Sequence, residues 1–420
     1  MSFTTSFAFA IALTLFKSLP YILKVQKKLD RMVLVLRERF IGAKIIRAFD
    51  NSKKERDKFN DVAQEYTDNY IIINKKFALL SPMAFALMSV VITLIIFFGA
   101  MKVLNNTLEI GSITAIVEYS LTTIAALIMS SMVLVQMPKA VVSIERIEEV
   151  LNVTSEIKDK EELKDNSYYE DILKQNPISL TFDNVCFRYK GAEKQILKNI
   201  SFSIKAGERF AIVGATGSGK STIAKVLLRL NDIESGRILI NGVDALDLPL
   251  NCLRNQISYT PQKAYIFSGK IKDNFRFTNK NMTDEEMIKI AKIAQSYDFI
   301  DSLPDKFDSF VAQGGINFSG GQKQRLSIAR ALSKDANIYL FDDSFSALDY
   351  ATDAKLRKEL KTFLKDKITI IIAQRLNTIA DADKIIVLKD SEITGMGTHQ
   401  ELLESNQEYI ELAKSQGILE

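Results

Sequence analysis

The 420 residues contain no tryptophan, a single histidine, His399, and only two cysteines, Cys186 and Cys252. The cysteines lie far apart in the chain and form no framework of disulfides or metal ligands. A reducing, cytosolic setting fits at least the half of the chain that holds them. Nor is there a large excess of one charge. Lys and Arg number 55 against 51 Asp and Glu, a formal net charge of +4, and that balance does not single out nucleic acid as a partner. What remains is ordinary for a folded chain, 47% apolar and 25% charged, with a length that suggests two or three domains.

That average hides a division. Residues 1–147 hold three long apolar runs, 2–23, 77–103 and 113–135, whereas 178–420 read as a soluble α/β domain. Each run is long enough to cross a bilayer core of ~30 Å at ~1.5 Å per helical residue. Buried helices of a soluble core need no such length. The first run lacks the basic start and small-residue cleavage pattern of a signal peptide. Between the first and second runs, segment 24–76 holds fourteen Lys or Arg, while 104–112 (LNNTLEIGS) holds none. The positive-inside rule therefore puts 24–76 in the cytoplasm and 104–112 outside. The third span then returns the chain to the cytoplasm, which leaves Met1 outside. From this we expect the chain to be the C-terminal part of something longer.

Segment 24–76 carries helical stripes. Leu29, Val33, Leu36 and Phe40 recur at spacings of three and four, as do Phe59, Val62, Tyr66, Tyr70 and Ile73. Asp50-Asn51-Ser52 supplies turn and cap residues, which predicts a hairpin of two helices with its tip near Phe49–Lys54. The alternative is a solvated hairpin without a role. Residues 151–177 are polar and mixed in charge, and read as a linker before a soluble domain that begins near Ile178.

The soluble half opens its chemistry with RFAIV (209–213), a short strand running into GATGSGKS (214–221) and then the helical run TIAKVLLRL. This is the P-loop pattern G-x-x-x-x-G-K-S. Its glycines let the backbone curl so that N–H groups of Gly214, Thr216, Gly217, Ser218, Gly219 and Thr222 can surround phosphate oxygens. The following helix N-terminus adds positive potential. Lys220 is placed to reach the β- and γ-phosphates and Ser221 to ligate Mg²⁺. NIYLFDD (337–343) is an apolar strand with carboxylates at its C-terminal end, where ligands of open α/β sheets sit. Asp342 fits the Mg²⁺-side aspartate, and Asp343 the residue that polarises the attacking water. A capping carboxylate is the bland reading of either.

FSGGQ (318–322), followed by KQRLSIARALSKDANIYLFDDSFSALD, completes an ordered set with the upstream P-loop. The set resembles the nucleotide-binding domain of ABC transporters, strongly over 178–420. Over 1–150 the layout is similar to exporter half-transporters: EIGSITAIVEYSLT and VVSIERIEEVL to their last membrane helix, and RFIGAKIIRAF to the helix entering their second cytoplasmic loop. The resemblance implies an α-helical transmembrane segment plus an α/β P-loop (RecA-like) domain with antiparallel β and helical subdomains. It also implies an ATPase/translocase that uses ATP and Mg²⁺ in the cell membrane, with no role for nucleic acid. Half-transporters have six spans, and the three runs here match the fourth to sixth.

By the same resemblance, Tyr189 matches the aromatic that stacks on adenine. Gln262 matches the glutamine that touches Mg²⁺ and senses the membrane domain. Phe318, Ser319, Gly320, Gly321 and Gln322 match the signature loop, which binds the γ-phosphate of the ATP held by the opposite subunit. Asp349 lies in the loop that crosses to that subunit. The hairpin tip resembles the coupling helix. Lipid, peptide and drug-like cargoes all fit such a chain.

Two positions depart together. Asp343 stands where the family places a catalytic glutamate, and Gln374, in IIAQRLNTI, where it places the switch histidine. His399 lies well beyond the switch strand, so no histidine switch can be built in this chain. Asp is one methylene shorter than Glu, so its carboxylate falls back by about 1.5 Å. A misplacement near 1 Å can cost on the order of a hundredfold in rate. Gln374 can donate a hydrogen bond to phosphate but carries no positive charge. The expectation is a site that binds ATP and hydrolyses it slowly, as in one half of heterodimeric ABC exporters, with FSGGQ serving the partner's competent site. The alternative is a homodimer slow at both sites. Also weighed were a soluble ABC-type ATPase without transport, which the apolar runs oppose, a remnant of an exporter gene, and a P-loop kinase, in which SGGQ and SALD have no part.

Overall fold

The computed structural model describes residues 24–78, 80–160, 166–173 and 178–419. The first apolar run, 2–23, lies outside them. The chain divides into two compact units, Met1–Thr154 and Ser155–Glu420.

The first unit is helical. Helix α1 covers 24–41, α2 Ala43–Ala48, α3 Ser52–Ala78, α4 Leu80–Leu104 and α5 Ile110–Leu151. The turn between α2 and α3 falls at Phe49–Asn51, where Asp50 adopts a φ of 49°, a left-handed conformation that Asp tolerates better than most residues. On α3 the packed positions are Phe59, Val62, Tyr66 and Ile73, as the stripe predicts, with Asn69 inward in place of Tyr70. On α1 the packed face is rotated. Val35 is buried, flanked by half-buried Lys28, Met32 and Arg39, while Val33 and Phe40 are exposed. Leu29 and Leu36 of the predicted stripe are half-buried, and Lys28 on the packed side bonds Glu65 of α3.

Helices α4 and α5 approach closely where Gly99 faces Ile113. A methyl group at Gly99 would lie 2.9 Å from that side chain. At ~1.5 Å per residue, the 25 residues of α4 extend for about 37 Å. The third apolar run, 113–135, forms the first half of the 42-residue α5. Among the described residues no helix is long and apolar enough to cross a membrane.

Among the described residues the second unit holds two main sheets and one two-stranded ribbon. Strands β1 (Ser179–Phe187), β2 (Leu197–Lys205), β3 (Arg209–Gly214), β4 (Ser235–Ile240), β5 (Val243–Asp244) and β6 (Ile257–Thr260) come first. Then follow β7 (Gly269–Lys270), β8 (Phe310–Val311), β9 (Ile338–Asp342), β10 (Ile368–Ile372), β11 (Lys384–Lys389) and β12 (Glu392–Gly397). An antiparallel sheet has the order β2-β1-β4-β5. The larger sheet runs β12-β11-β3-β10-β9-β6 and is parallel except at β12. Strands β9 and β10 are buried along their whole length, as expected for parallel strands covered on both faces. Between β7 and β9 the chain is mainly helical. Residues 155–160 and 166–173 are not a free linker. The helix Asn166–Leu173 delivers Tyr169 and fully buried Leu173 into the core of the second unit. Asp159 caps the N–H of Leu250, and the Lys158 carbonyl accepts from Arg229.

Candidate functional site

The site lies at the C-terminal ends of the parallel strands, where β3 turns into the helix Lys220–Leu227. Two glycines are obligatory there. Gly214 has a φ of +155°, and a Cβ would stand 2.2 Å from the Leu388 carbonyl oxygen. Gly219 has a φ of +102°, and a Cβ would stand 2.6 Å from the Ile196 carbonyl oxygen. No other residue type fits either place. The loop they shape leaves the N–H groups of Gly219, Lys220 and Ser221 without a backbone partner among the described residues. The hydroxyl of Ser218 is buried and likewise unpartnered. Lys220 donates from Nζ to the carbonyl oxygens of Gly214 (2.7 Å) and Ala215 (2.8 Å). Burial holds its ammonium below the ordinary lysine range, opposed by Asp343 and Asp342.

The end of β9 meets this loop. Ser221 donates from Oγ to Asp342 Oδ1 at 2.9 Å, and the Tyr259 hydroxyl donates to Asp342 Oδ2 at 3.4 Å. Burial pushes the Asp342 carboxyl above its ordinary value, with the two hydroxyl bonds pulling the other way. Burial also raises the Tyr259 phenol, so it stays a donor at neutral pH. Next in chain, Asp343 takes a φ of 46° and donates its N–H to the Ile372 carbonyl at 2.8 Å. Its Oδ2 accepts from Gln262 Nε2 at 3.1 Å. Gln374 is exposed just past β10. Its carbonyl accepts from Gln416 Nε2 (2.8 Å), while Gln416 Oε1 accepts from the Leu376 N–H (2.9 Å).

Tyr189 packs edge-on against Phe187, centroids 4.9 Å apart. Its hydroxyl lies 3.4 Å from Thr222 Oγ1 and accepts from Lys225 Nζ at 3.2 Å. The signature residues form a separate group. Ser319 caps the helix Gly320–Leu332 in a reciprocal box with Gln322, and Phe318 is buried behind it. A methyl group at Gly321 would come within 3.3 Å of the Ala347 carbonyl, so the signature loop and the SALD loop are neighbours. Asp349 caps the helix Tyr350–Phe363. The Thr352 N–H it accepts holds its carboxyl below the ordinary range. Among the described residues, no hydrogen bond or ion pair joins Ser319–Gln322 to the P-loop. A cavity of about 1130 Å³ borders Gly214–Ser218 on the side of Lys389 and Glu408; Lys220, Asp342 and Asp343 do not line it.

The structure thus gathers Lys220, Ser221, Thr222, Tyr189, Asp342, Asp343 and Gln262 around one loop, and holds the signature residues apart. Tyr259 and Lys225 were not foreseen. Tyr259 is brought to Asp342 by the pairing of β6 with β9, which the local sequence does not declare. Lys225 could have been found, since it lies one turn beyond Ser221 on the same helix. For Mg²⁺, the Ser221 hydroxyl beside the Asp342 carboxylate is an oxygen pair of the kind hard cations take, along with phosphate and water. No cluster of three or more His, Cys, Asp or Glu able to hold a metal by itself occurs among the described residues.

A P-loop, a carboxylate-ended strand beside it and a capped SGGQ loop define an ABC-type ATP-binding domain. The family profile described as ABC transporter matches residues 197–346, and that of the ABC transporter transmembrane region matches 1–127. An uncharacterized ABC transporter ATP-binding protein of Mycobacterium tuberculosis is 34% identical over 403 residues, which is 95% of this chain and 68% of the relative. An ATP-dependent lipid A-core flippase of Desulfotalea psychrophila is 33% identical over 387 residues, 92% of this chain and 66% of that protein. The solved structure of a bacterial Atm1-family ABC exporter with ATP bound superimposes with a TM-score of 0.85 at 28% identity, covering 99% of this chain and 72% of that one. The chain belongs to the ABC transporters, as an exporter half-transporter with a transmembrane region joined to an ATPase domain that uses ATP and Mg²⁺. It spans about two thirds of the length of the relatives it matches.

Proposed function

We propose that this chain is one subunit of an exporter dimer in the cell membrane, and that its own P-loop binds Mg·ATP but turns it over slowly. The observation that carries the reading is Asp343. It occupies the water-polarising position with a side chain one methylene short of glutamate, and its carboxylate is engaged by Gln262 at 3.1 Å. Gln374 at the switch position brings no positive charge. The binding groups are intact. Tyr189 offers a face for adenine, the P-loop N–H groups and Lys220 receive the phosphates, and Ser221, Asp342 and Gln262 hold Mg²⁺. When bound, Mg²⁺ neutralises phosphate charge and polarises the γ-phosphoryl group. Asp343 then orients water from too far back, and the loss falls on turnover rather than on binding.

ABC exporters work as dimers. The separation of Ser319–Gln322 from this chain's own P-loop fits a signature loop that serves the partner's ATP, with Asp349 at the crossing between subunits. A heterodimer follows, in which the partner supplies a competent glutamate and histidine. The likeness to an Atm1-family exporter, whose members typically pair with themselves, favours a second reading: a homodimer slow at both sites. In the membrane half, the match of 1–127 to the transmembrane-region profile supports reading the runs 2–23, 77–103 and 113–135 as spans, with the α1–α3 hairpin as their cytoplasmic extension.

One comparison separates the two dimers. In the reconstituted transporter, Lys220→Ala in this chain leaves much of the ATPase, while Ser319→Ala sharply reduces it. Equal loss from the two substitutions overturns the asymmetric assignment.

A further inference from the structure

We infer that Tyr259 is a positioning residue of the Mg²⁺ site: its hydroxyl fixes the rotamer of Asp342 by holding the carboxylate oxygen that Ser221 does not. The inference rests on the reading of Ser221 and Asp342 as the Mg²⁺-side pair.

The placement comes from the sheet. β6 runs parallel to β9, with Tyr259 directly opposite Leu340. Side chains along a strand alternate between faces, so Asp342, two residues beyond Leu340, lies on the same face as Tyr259, one step diagonally along. That diagonal is within reach of a long aromatic side chain, and the hydroxyl arrives at Asp342 Oδ2 at 3.4 Å. The ring itself packs against the core that contains Ile338, Leu340 and Ile372. A tyrosine so packed has few rotamers left, and its hydroxyl is delivered to one point.

The consequence concerns geometry at the metal. Asp342 is buried, with 3% of its surface exposed, and water does little to orient it. Two hydroxyls do so instead: Ser221 on Oδ1 at 2.9 Å and Tyr259 on Oδ2. The Ser221 hydroxyl is also the group that faces the cation. Without Tyr259, one carboxylate oxygen is left buried with no donor, and the plane of the carboxylate is set by Ser221 alone. Mg²⁺ demands near-ideal octahedral geometry, so a loosened carboxylate weakens the site. Nucleotide held through the base and the P-loop amides is untouched by that change.

The test uses Tyr259→Phe in the full chain, reconstituted in lipid nanodiscs, with TNP-ATP as the nucleotide probe. Nucleotide affinity is measured in EDTA and then across a Mg²⁺ titration. At 3.4 Å this hydrogen bond is long, so it is worth no more than an ordinary neutral one, and the Mg²⁺ concentration for half-maximal enhancement should rise roughly threefold to tenfold. Affinity in EDTA stays unchanged, and this also reports that the variant is folded. Mg²⁺ dependence that is present in the unsubstituted chain and identical in Tyr259→Phe overturns the role of Tyr259 alone, as does equal weakening with and without Mg²⁺. Mg²⁺ dependence that survives Asp342→Asn unchanged overturns the underlying metal assignment instead.

Discussion

At the scale of single residues, the slow turnover proposed for this ATP site rests on Asp343 and Gln374. The first is held by Gln262; the second is exposed, its carbonyl bonded to Gln416. If position rather than fold limits turnover, Asp343→Glu together with Gln374→His should raise single-turnover hydrolysis at this P-loop by on the order of a hundredfold, the factor expected from restoring ~1 Å of reach. An unchanged rate in a quenched-flow measurement counts against the assignment. Much of the site was legible because its parts are contiguous: the loop 214–221, the strand 337–343 and the loop 318–322 each declare themselves within eight residues or fewer. Tyr259 was not legible. Its proximity to Asp342 depends on which strand lies next to β9, and residues eighty apart carry no local sign of that.

At the scale of elements, the stretch between the two units is the instructive case. Its polar composition reads as a linker, yet 166–173 folds as a helix and buries Tyr169 and Leu173. Tyr169 and Leu173 lie a single helical turn apart, too short a stripe to set a periodicity in a charged stretch, although both enter the core. Leu173→Ala should destabilise the ATPase unit by about 2–5 kcal/mol, the range for emptying a fully buried leucine site. Differential scanning calorimetry of the full chain with and without ATP checks this; a transition shifted by less than a degree would show that the helix merely rests on the surface. On α1 the stripe marked a helix, and the helix is there, but only Leu29 and Leu36 of its four apolar residues are half-buried while Val33 and Phe40 are exposed. Close packing of α4 on α5 hinges on Gly99, whose place opposite Ile113 is invisible in a run of apolar residues.

At the scale of the whole molecule, the order of motifs along the chain carries the architecture. A P-loop, a signature loop and a carboxylate-ended strand in that order imply the ABC transporter family before any coordinates are seen, and the family matches over both halves agree with it. The relation between β12 and the helices after it was outside such reading, since no motif marks it. There the helix Gln407–Ser415 ends beside Gln416, whose carboxamide takes the Gln374 carbonyl with one end and the Leu376 amide with the other. This two-ended contact spans 42 residues of sequence. Gln416→Ala should speed hydrogen exchange of the Leu376 amide, read by mass spectrometry, while leaving the amides of β10 protected; equal protection in both proteins would show the contact to be idle. The segment just past β10, which the proposed function reads as the nucleotide switch, is therefore tethered by the residue that follows the last helix.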